Sequence, residues 1–298
     1  MRTKSKVIAG VLLVALLTGA VSMIASRHTV SVLSPAGPVA HQERQLMYFA
    51  LALSLIVVVP VFTLLFVFAW RYRDGAQATY KPDWEGNRAL ETVWWLIPLA
   101  LIVVLSVVTW RSSHSLDPYQ PLAGTQRPLL VQVVALDWKW LFIYPEQNIA
   151  TVNYVRLPSK TPVTFEITAD APMNSLWIPQ LGSQIYAMPG MTSQLHLQAD
   201  HSGIYRGSSA NISGEGFAAM HFDAIVTNDS DFKSWVASSH YSDTPLNSAS
   251  YEALAKPGTI AQPLTFGSRQ PGLYTSILQK YVPAGAEMLG MPATGAAL

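Results

Sequence analysis

The stretch RGSSANISGEGFAAMHF, residues 206–222, gathers glycines, serines and alanines and closes on Met220 and His221. A methionine beside a histidine after such a loop could ligate a metal. Two readings compete: a hairpin loop that glycine and serine suit, or a metal loop whose ligands have been exchanged. His196 alternates with Leu195 and Leu197, and His221 with Met220 and Phe222, so each imidazole should point away from its apolar neighbours. His201 and Met188 are within imaginable reach, but a third suitable ligand at ordered spacing is lacking and no histidine-based metal is expected. The chain has no cysteine, which excludes disulfides, thiolate catalysis, zinc ribbons, iron–sulfur clusters and every copper site built on a thiolate. It also has no G-x-S-x-G elbow, H-E-x-x-H pair or phosphate loop, so hydrolytic and nucleotide chemistry have no support.

Whatever positions these side chains is partly a membrane structure. Only 12% of the 298 residues are charged, about half the share of an average soluble domain. The formal net charge of +1 gives no case for nucleic acid. Residues 1–25 read as a signal peptide or N-terminal anchor: a basic start, MRTKSK, precedes VIAGVLLVALLTGAVSMIA. Cleavage after Ala20-Val21-Ser22 and retention as an anchor both fit. Leu17-Thr18-Gly19 would suit the residues before a lipidated cysteine, but Ala20 follows, so no diacyl anchor can attach.

Residues 40–112 read as a two-helix transmembrane hairpin, with spans at about 46–69 and 93–110. The first reaches ~36 Å at ~1.5 Å per residue, against a hydrocarbon core of ~30 Å. The second carries Trp94, Trp95 and Trp110 as interfacial anchors. Pro60 and Pro98 are tolerable inside lipid because neighbouring groups satisfy the freed carbonyls. Arg71, Arg73, Lys81 and Arg88 in the connecting loop make it cytoplasmic by the positive-inside rule, with everything after Trp110 outside.

From about residue 125 to 230 short strands alternate with polar turns. In VTFEIT, Val163, Phe165 and Ile167 share one face; similar runs lie near 129–135, 138–144, 151–157, 193–199 and 219–226. A β-sandwich or small barrel is expected. Residues 231–298 read as a short helical C-terminal extension: DFKSWVASS and LYTSILQKY place apolar residues at helical spacing before a flexible Gly/Ala-rich tail.

Two spanning helices followed by an external sandwich, with ETVWWLIP (91–98), LDWKWLFIYPEQ (136–147) and MNSLWIPQLGSQIYAMPGM (173–191) in this order, resemble subunit II of the heme-copper respiratory oxidases over residues 40–285. The resemblance implies a membrane α plus all-β fold, with the outer domain a cupredoxin-like β-sandwich. In members that oxidise cytochrome c, that domain holds a two-copper centre. Its ligands fall here on Asn174 (histidine), Ser209 and Ser213 (cysteines), Phe217 (histidine) and Met220 (methionine). Only the methionine is retained, and serine hydroxyls neither ionise near neutral pH nor match copper in softness.

The resemblance therefore narrows to the quinol-oxidising branch, the cytochrome bo-type ubiquinol oxidases, through "DWKWLFIYPEQ" and "LGSQIYAM". It implies a non-catalytic subunit II of a proton-pumping quinol:oxygen oxidoreductase. Hemes and copper would sit on partner subunit I, no cofactor would sit on this chain, and ubiquinol would be the complex's substrate. The setting would be a bacterial inner membrane with the sandwich periplasmic. Soluble cytochrome c and nucleic acid would not be partners. Glu91 would stand near the entrance of a proton pathway; the plain alternative is an acid complementing its helix dipole. Trp138, Trp140, Phe142 and Tyr144 are read as one face of a strand, packed in the core or against subunit I rather than passing electrons. Asn174 is expected to satisfy backbone groups at a strand edge. Two other functions are weighed. A cytochrome c oxidase subunit II fails on the missing thiolates, and a membrane-tethered cupredoxin-like binding module would be stable as a lone chain.

Overall fold

The computed structural model describes residues 30–73, 86–122 and 126–281, with position 19. The cleavage and anchor expectation for residues 1–25, Lys81 of the connecting loop and the tail after residue 281 lie outside the described residues, position 19 apart. The chain forms two compact units, Gln42–Gln120 and the remainder.

In the first unit, helix α1 (Pro38–Arg71, starting in the other unit) and helix α2 (Arg88–Ser115) run beyond the spans expected from the sequence at both ends. Both are long and apolar enough to cross a membrane, and no residue of their most apolar stretches is buried. This is the outward-facing pattern that lipid or another membrane subunit requires. Pro38 opens α1, where its missing N–H costs nothing. Asn87 caps α2, its Oδ1 accepting from the N–H of Ala89 at 3.0 Å and of Leu90 at 3.3 Å.

The second unit is a sandwich. One sheet has the order β12-β3-β2-β1-β5-β8 and the other β4-β10-β9-β6-β7. The strands are β1 Leu129–Leu136, β2 Lys139–Tyr144, β3 Ile149–Val152, β4 Tyr154–Pro158, β5 Val163–Ala169, β6 Asn174–Trp177, β7 Ile185–Ala187, β8 Ser193–Leu197, β9 Gly203–Ser209 and β10 His221–Thr227; β12 (Leu264–Phe266) comes from the C-terminal extension, as does the short pair β11 (Pro245–Leu246) and β13 (Ser268–Arg269).

The expected single strand at 151–157 is two. Asn153, at φ 58°, passes the chain from one sheet to the other, and its Oδ1 accepts from the Trp140 N–H at 3.0 Å. Asparagine tolerates that left-handed conformation better than a branched residue.

Between the sheets, Val131, Val133, Trp140, Phe142, Phe165 and Ile167 meet Val155, Leu176, Phe222 and Val226 in one core. The opposite side of the larger sheet is also covered. Val134, Leu136, Leu141, Ile143, Ala150 and Val152 pack against Tyr251, Leu254, Leu273, Tyr274, Ile277 and Leu278. The extension thus supplies α3 (Asp229–Ser239), α4 (Ser248–Ala255), α5 (Leu273–Gln279) and a sheet strand. Two helices were expected from spacing. The third helix and β12 are additional, and they explain why every residue of β2 is buried rather than every second one.

Candidate functional site

The five positions on which the resemblance places copper ligands lie around the ends of β6 and β9 and in the loop that follows β9. Asn174, 1% exposed, opens β6. Its Nδ2 donates to the Pro172 carbonyl at 2.7 Å and its Oδ1 lies 3.0 Å from the Ser209 hydroxyl. β6 lies between β9 and β7, so Asn174 satisfies a loop carbonyl and a side chain inside the sheet rather than at its edge. Ser209 ends β9, so residues 206–209 are strand and only the remainder of the opening stretch up to Met220 is loop. The single hydroxyl proton of Ser209 serves either Asn174 or the Asn211 carbonyl at 3.2 Å. The Ser209 N–H donates to the carbonyl of Met220, a residue 1% exposed.

The remaining two positions are placed by the loop. Ser213 offers its carbonyl to Trp138 Nε1 at 3.4 Å, and its buried hydroxyl has no protein partner. Phe217 starts a one-turn 3-10 helix that ends at Ala219. The structure therefore joins Asn174, Ser209 and Met220 directly, and brings Ser213 and Phe217 only through the loop. A two-copper centre does not fit these residues. No thiolate or imidazole is offered, and the Asn174 and Ser209 side chains already have hydrogen-bond partners within the protein.

The aromatic residues divide. Trp140, Phe142 and Tyr144 do share one buried face, with Trp140 and Phe142 5.8 and 5.0 Å from Phe222. Trp138 does not share it. It occupies the two-residue turn between β1 and β2 at φ 60°, and its ring lies on the loop; a Cβ on Gly216 would come within 2.3 Å of it. The Tyr144 hydroxyl accepts from the Arg156 N–H at 2.7 Å and can donate to the Arg156 carbonyl at 3.1 Å. Burial pushes its pKa up.

His196 and His221 belong to different sheets. His196 Nδ1 lies 3.1 Å from Thr164 Oγ1, and burial lowers its pKa. His221 instead lines a shallow cleft with Arg206 and Asp223. His201 is exposed and gives its carbonyl to Tyr205, while Met188 gives its carbonyl to Thr168. Among the described residues no group of three or more His, Cys, Asp or Glu could hold a metal. Glu91 is exposed in the first turn of α2.

The sequence reading missed Asp170. Its side chain is 7% exposed and pairs with Lys280 Nζ at 2.6 Å. It also accepts from the Tyr281 hydroxyl at 2.7 Å and from Tyr251. Burial alone would raise this carboxyl, but the hydrogen bonds from Lys280, Tyr251 and Tyr281 outweigh it and hold the pKa below the usual carboxylate value. The latch ties the C-terminal extension to the loop that leads into Asn174.

Residues 145–229 match the family described as the periplasmic domain of cytochrome c oxidase subunit II, and residues 240–285 match the COX aromatic-rich motif. The cytochrome bo(3) ubiquinol oxidase subunit 2 of Pseudomonas aeruginosa is 49% identical over 249 residues, 83% of this chain and 75% of the relative. The ubiquinol oxidase subunit 2 of Acetobacter aceti is 45% identical over 254 residues, 84% and 82% of the two chains. The quinol oxidase subunit 2 of Bacillus subtilis is 40% identical over 260 residues, 86% and 80%.

Proposed function

The chain belongs to the subunit 2 family of bo-type ubiquinol oxidases and related quinol oxidases, and on that premise we propose that it is the non-catalytic subunit of a proton-pumping ubiquinol:oxygen oxidoreductase. Electrons pass from ubiquinol to hemes and copper held by subunit I, and none passes through this chain. The hairpin packs on subunit I within the bacterial inner membrane, and the sandwich caps its periplasmic side and assists release of pumped protons. The exposed apolar helix faces support this docking, because residues left bare in the isolated chain need lipid or a partner helix.

The observation that carries the reading is the buried Asn174–Ser209 hydrogen bond. It spends on fold maintenance two positions that a cytochrome c-oxidising relative would use for copper. The test is electron paramagnetic resonance and visible absorption of the oxidised complex, with turnover on ubiquinol. The expected result is no mixed-valence dicopper signal with full quinol activity; a dicopper signal from this subunit overturns the proposal.

Glu91 is proposed as a proton-path entrance on its position at the end of α2 with the basic loop. Glu91→Ala in the assembled oxidase should slow proton-coupled turnover. Unchanged turnover and pumping would leave only its role at the helix dipole, worth ~0.3–1 kcal/mol.

A further inference from the structure

We propose that Met173, Met188 and Met191 form a surface thioether site for a soft monovalent cation, Cu(I), separate from the abandoned two-copper positions. The ladder between β6 and β7 pairs Asn174 with Ala187. Met173 and Met188 adjoin that last pair just beyond the strand ends, and continuing the register sets them opposite each other, on the other side of the ladder from the core residues Leu176 and Ala187. Side chains so placed start with Cβ atoms ~4.5–5.5 Å apart.

Met191 is brought in by a turn. Met188-Pro189-Gly190-Met191 closes with the Met191 N–H donating to the Met188 carbonyl at 3.4 Å, and Gly190 takes φ +72°. Proline second and a left-handed glycine third are the requirements of a type II turn, whose ends lie within ~7 Å. Met173 is 42% exposed and Met191 38%, while Met188 is half-buried, so the trio is open to a cation from solvent.

The two loops that carry these residues share one brace. Tyr281 hydrogen-bonds Asp170, three residues before Met173. Its Cβ also packs on Gly190, where an added Cβ would approach to 3.0 Å. The donor set contains only neutral sulfur. Thioethers of this kind select Cu(I) over Zn(II) or Cu(II), which prefer imidazole and carboxylate, and methionine's flexible chain lets three sulfurs converge at little steric cost. The bound ion stays in the d10 state, so the site takes no part in electron transfer and gives no dicopper signal. Its presence or absence is therefore distinguishable from the test of the proposed function.

The test is titration of the intact oxidase complex with Ag(I), a redox-inert stand-in, and with Cu(I) against a chromophoric Cu(I) chelator, followed by X-ray absorption at the silver edge. One cation per chain with sulfur-only coordination is expected. The M173L/M188L/M191L variant, which keeps side-chain volume nearly constant, should weaken binding by at least the roughly ten- to hundredfold that loss of an outer-shell contact costs a metal site. M220L should bind as the parent does. In the unsubstituted complex, Ag(I) should slow peroxide oxidation of Met173, Met188 and Met191 relative to the other methionines in peptide mass spectra. Equal affinity in the triple leucine variant, nitrogen or oxygen coordination, or unprotected methionines would overturn the proposal.

Discussion

Two buried polar clusters stand at the ends of one short loop, and they are built on opposite principles. At Asn174 the cluster is neutral: an amide, a hydroxyl and backbone groups satisfy one another with no charge involved. At Asp170 it is ionic, with one carboxylate holding an ammonium and two phenols from the C-terminal extension. The neutral cluster joins β6 to β9, and the ionic one fastens a second layer onto the larger sheet. The domain thus keeps a strongly polar interior but directs it to holding itself together. The loop between β9 and β10 holds its place in this way, because β6, β9 and the Met220 backbone are fixed by hydrogen bonds that need no ion.

The largest expected effect would break this contrast. Replacing Asn174→His, Ser209→Cys, Ser213→Cys and Phe217→His together, with Met220 kept, should turn the neutral cluster into a dicopper site detectable by electron paramagnetic resonance after copper loading. Failure to bind copper in a folded variant would show that the backbone no longer holds ligand geometry. At the ionic end, Asp170→Ala leaves the buried Tyr251 hydroxyl unpaired and frees Lys280, whose side chain is half exposed and contributes the smaller part. A loss of about 2–3 kcal/mol is expected in thermal denaturation, with faster proteolysis of the extension.

Gly216→Ala tests the brace between loop and turn. The backbone would accept alanine, but its Cβ would sit 2.3 Å from the Trp138 ring. About 1–3 kcal/mol of overpacking is expected, with a change in tryptophan fluorescence. Ser209→Ala should have the smallest effect, about 1 kcal/mol from the Asn174 oxygen left without a donor.

The clusters should also separate by pH. Asp170 has its pKa depressed by folding, so its contribution is complete above the unfolded value of about 3.9 and is lost as pH falls through the lower folded value. Burial and Asp170 push Tyr281 up to about 12 and Tyr251 higher still. Stability from both phenols is complete below their unfolded value near ~10 and is lost as pH rises above it. Melting temperature against pH should therefore lose the acid-side dependence and keep only a weakened alkaline one in Asp170→Ala, where burial still raises the phenols, and retain both in Ser209→Ala, because the Asn174–Ser209 pair carries no titrating group.

What could be read in advance followed the physics of each element. The hairpin was legible because lipid demands long uncharged runs, and β1, β5, β8 and β10 because one face is apolar. β6, β7 and β9 were not, since they are short and carry glycine, serine or proline neighbours that also suit loops. Trp138 fell out of its strand because, as a left-handed turn residue, it delays the start of β2 by one position. The chemistry offered at Asn174, Ser209, Ser213, Phe217 and Met220 was legible without a structure, since these residue types alone supply no thiolate. Asp170 was hidden: its partners are 81, 110 and 111 residues away, and no local pattern announces them.

On the proposed function, electrons bypass the outer domain. Oxygen uptake by the purified complex, with ubiquinol or reduced cytochrome c as sole donor, tests it most directly. Turnover with ubiquinol and none with the cytochrome is expected, and sustained oxygen uptake driven by reduced cytochrome c alone would show that electrons enter through this domain.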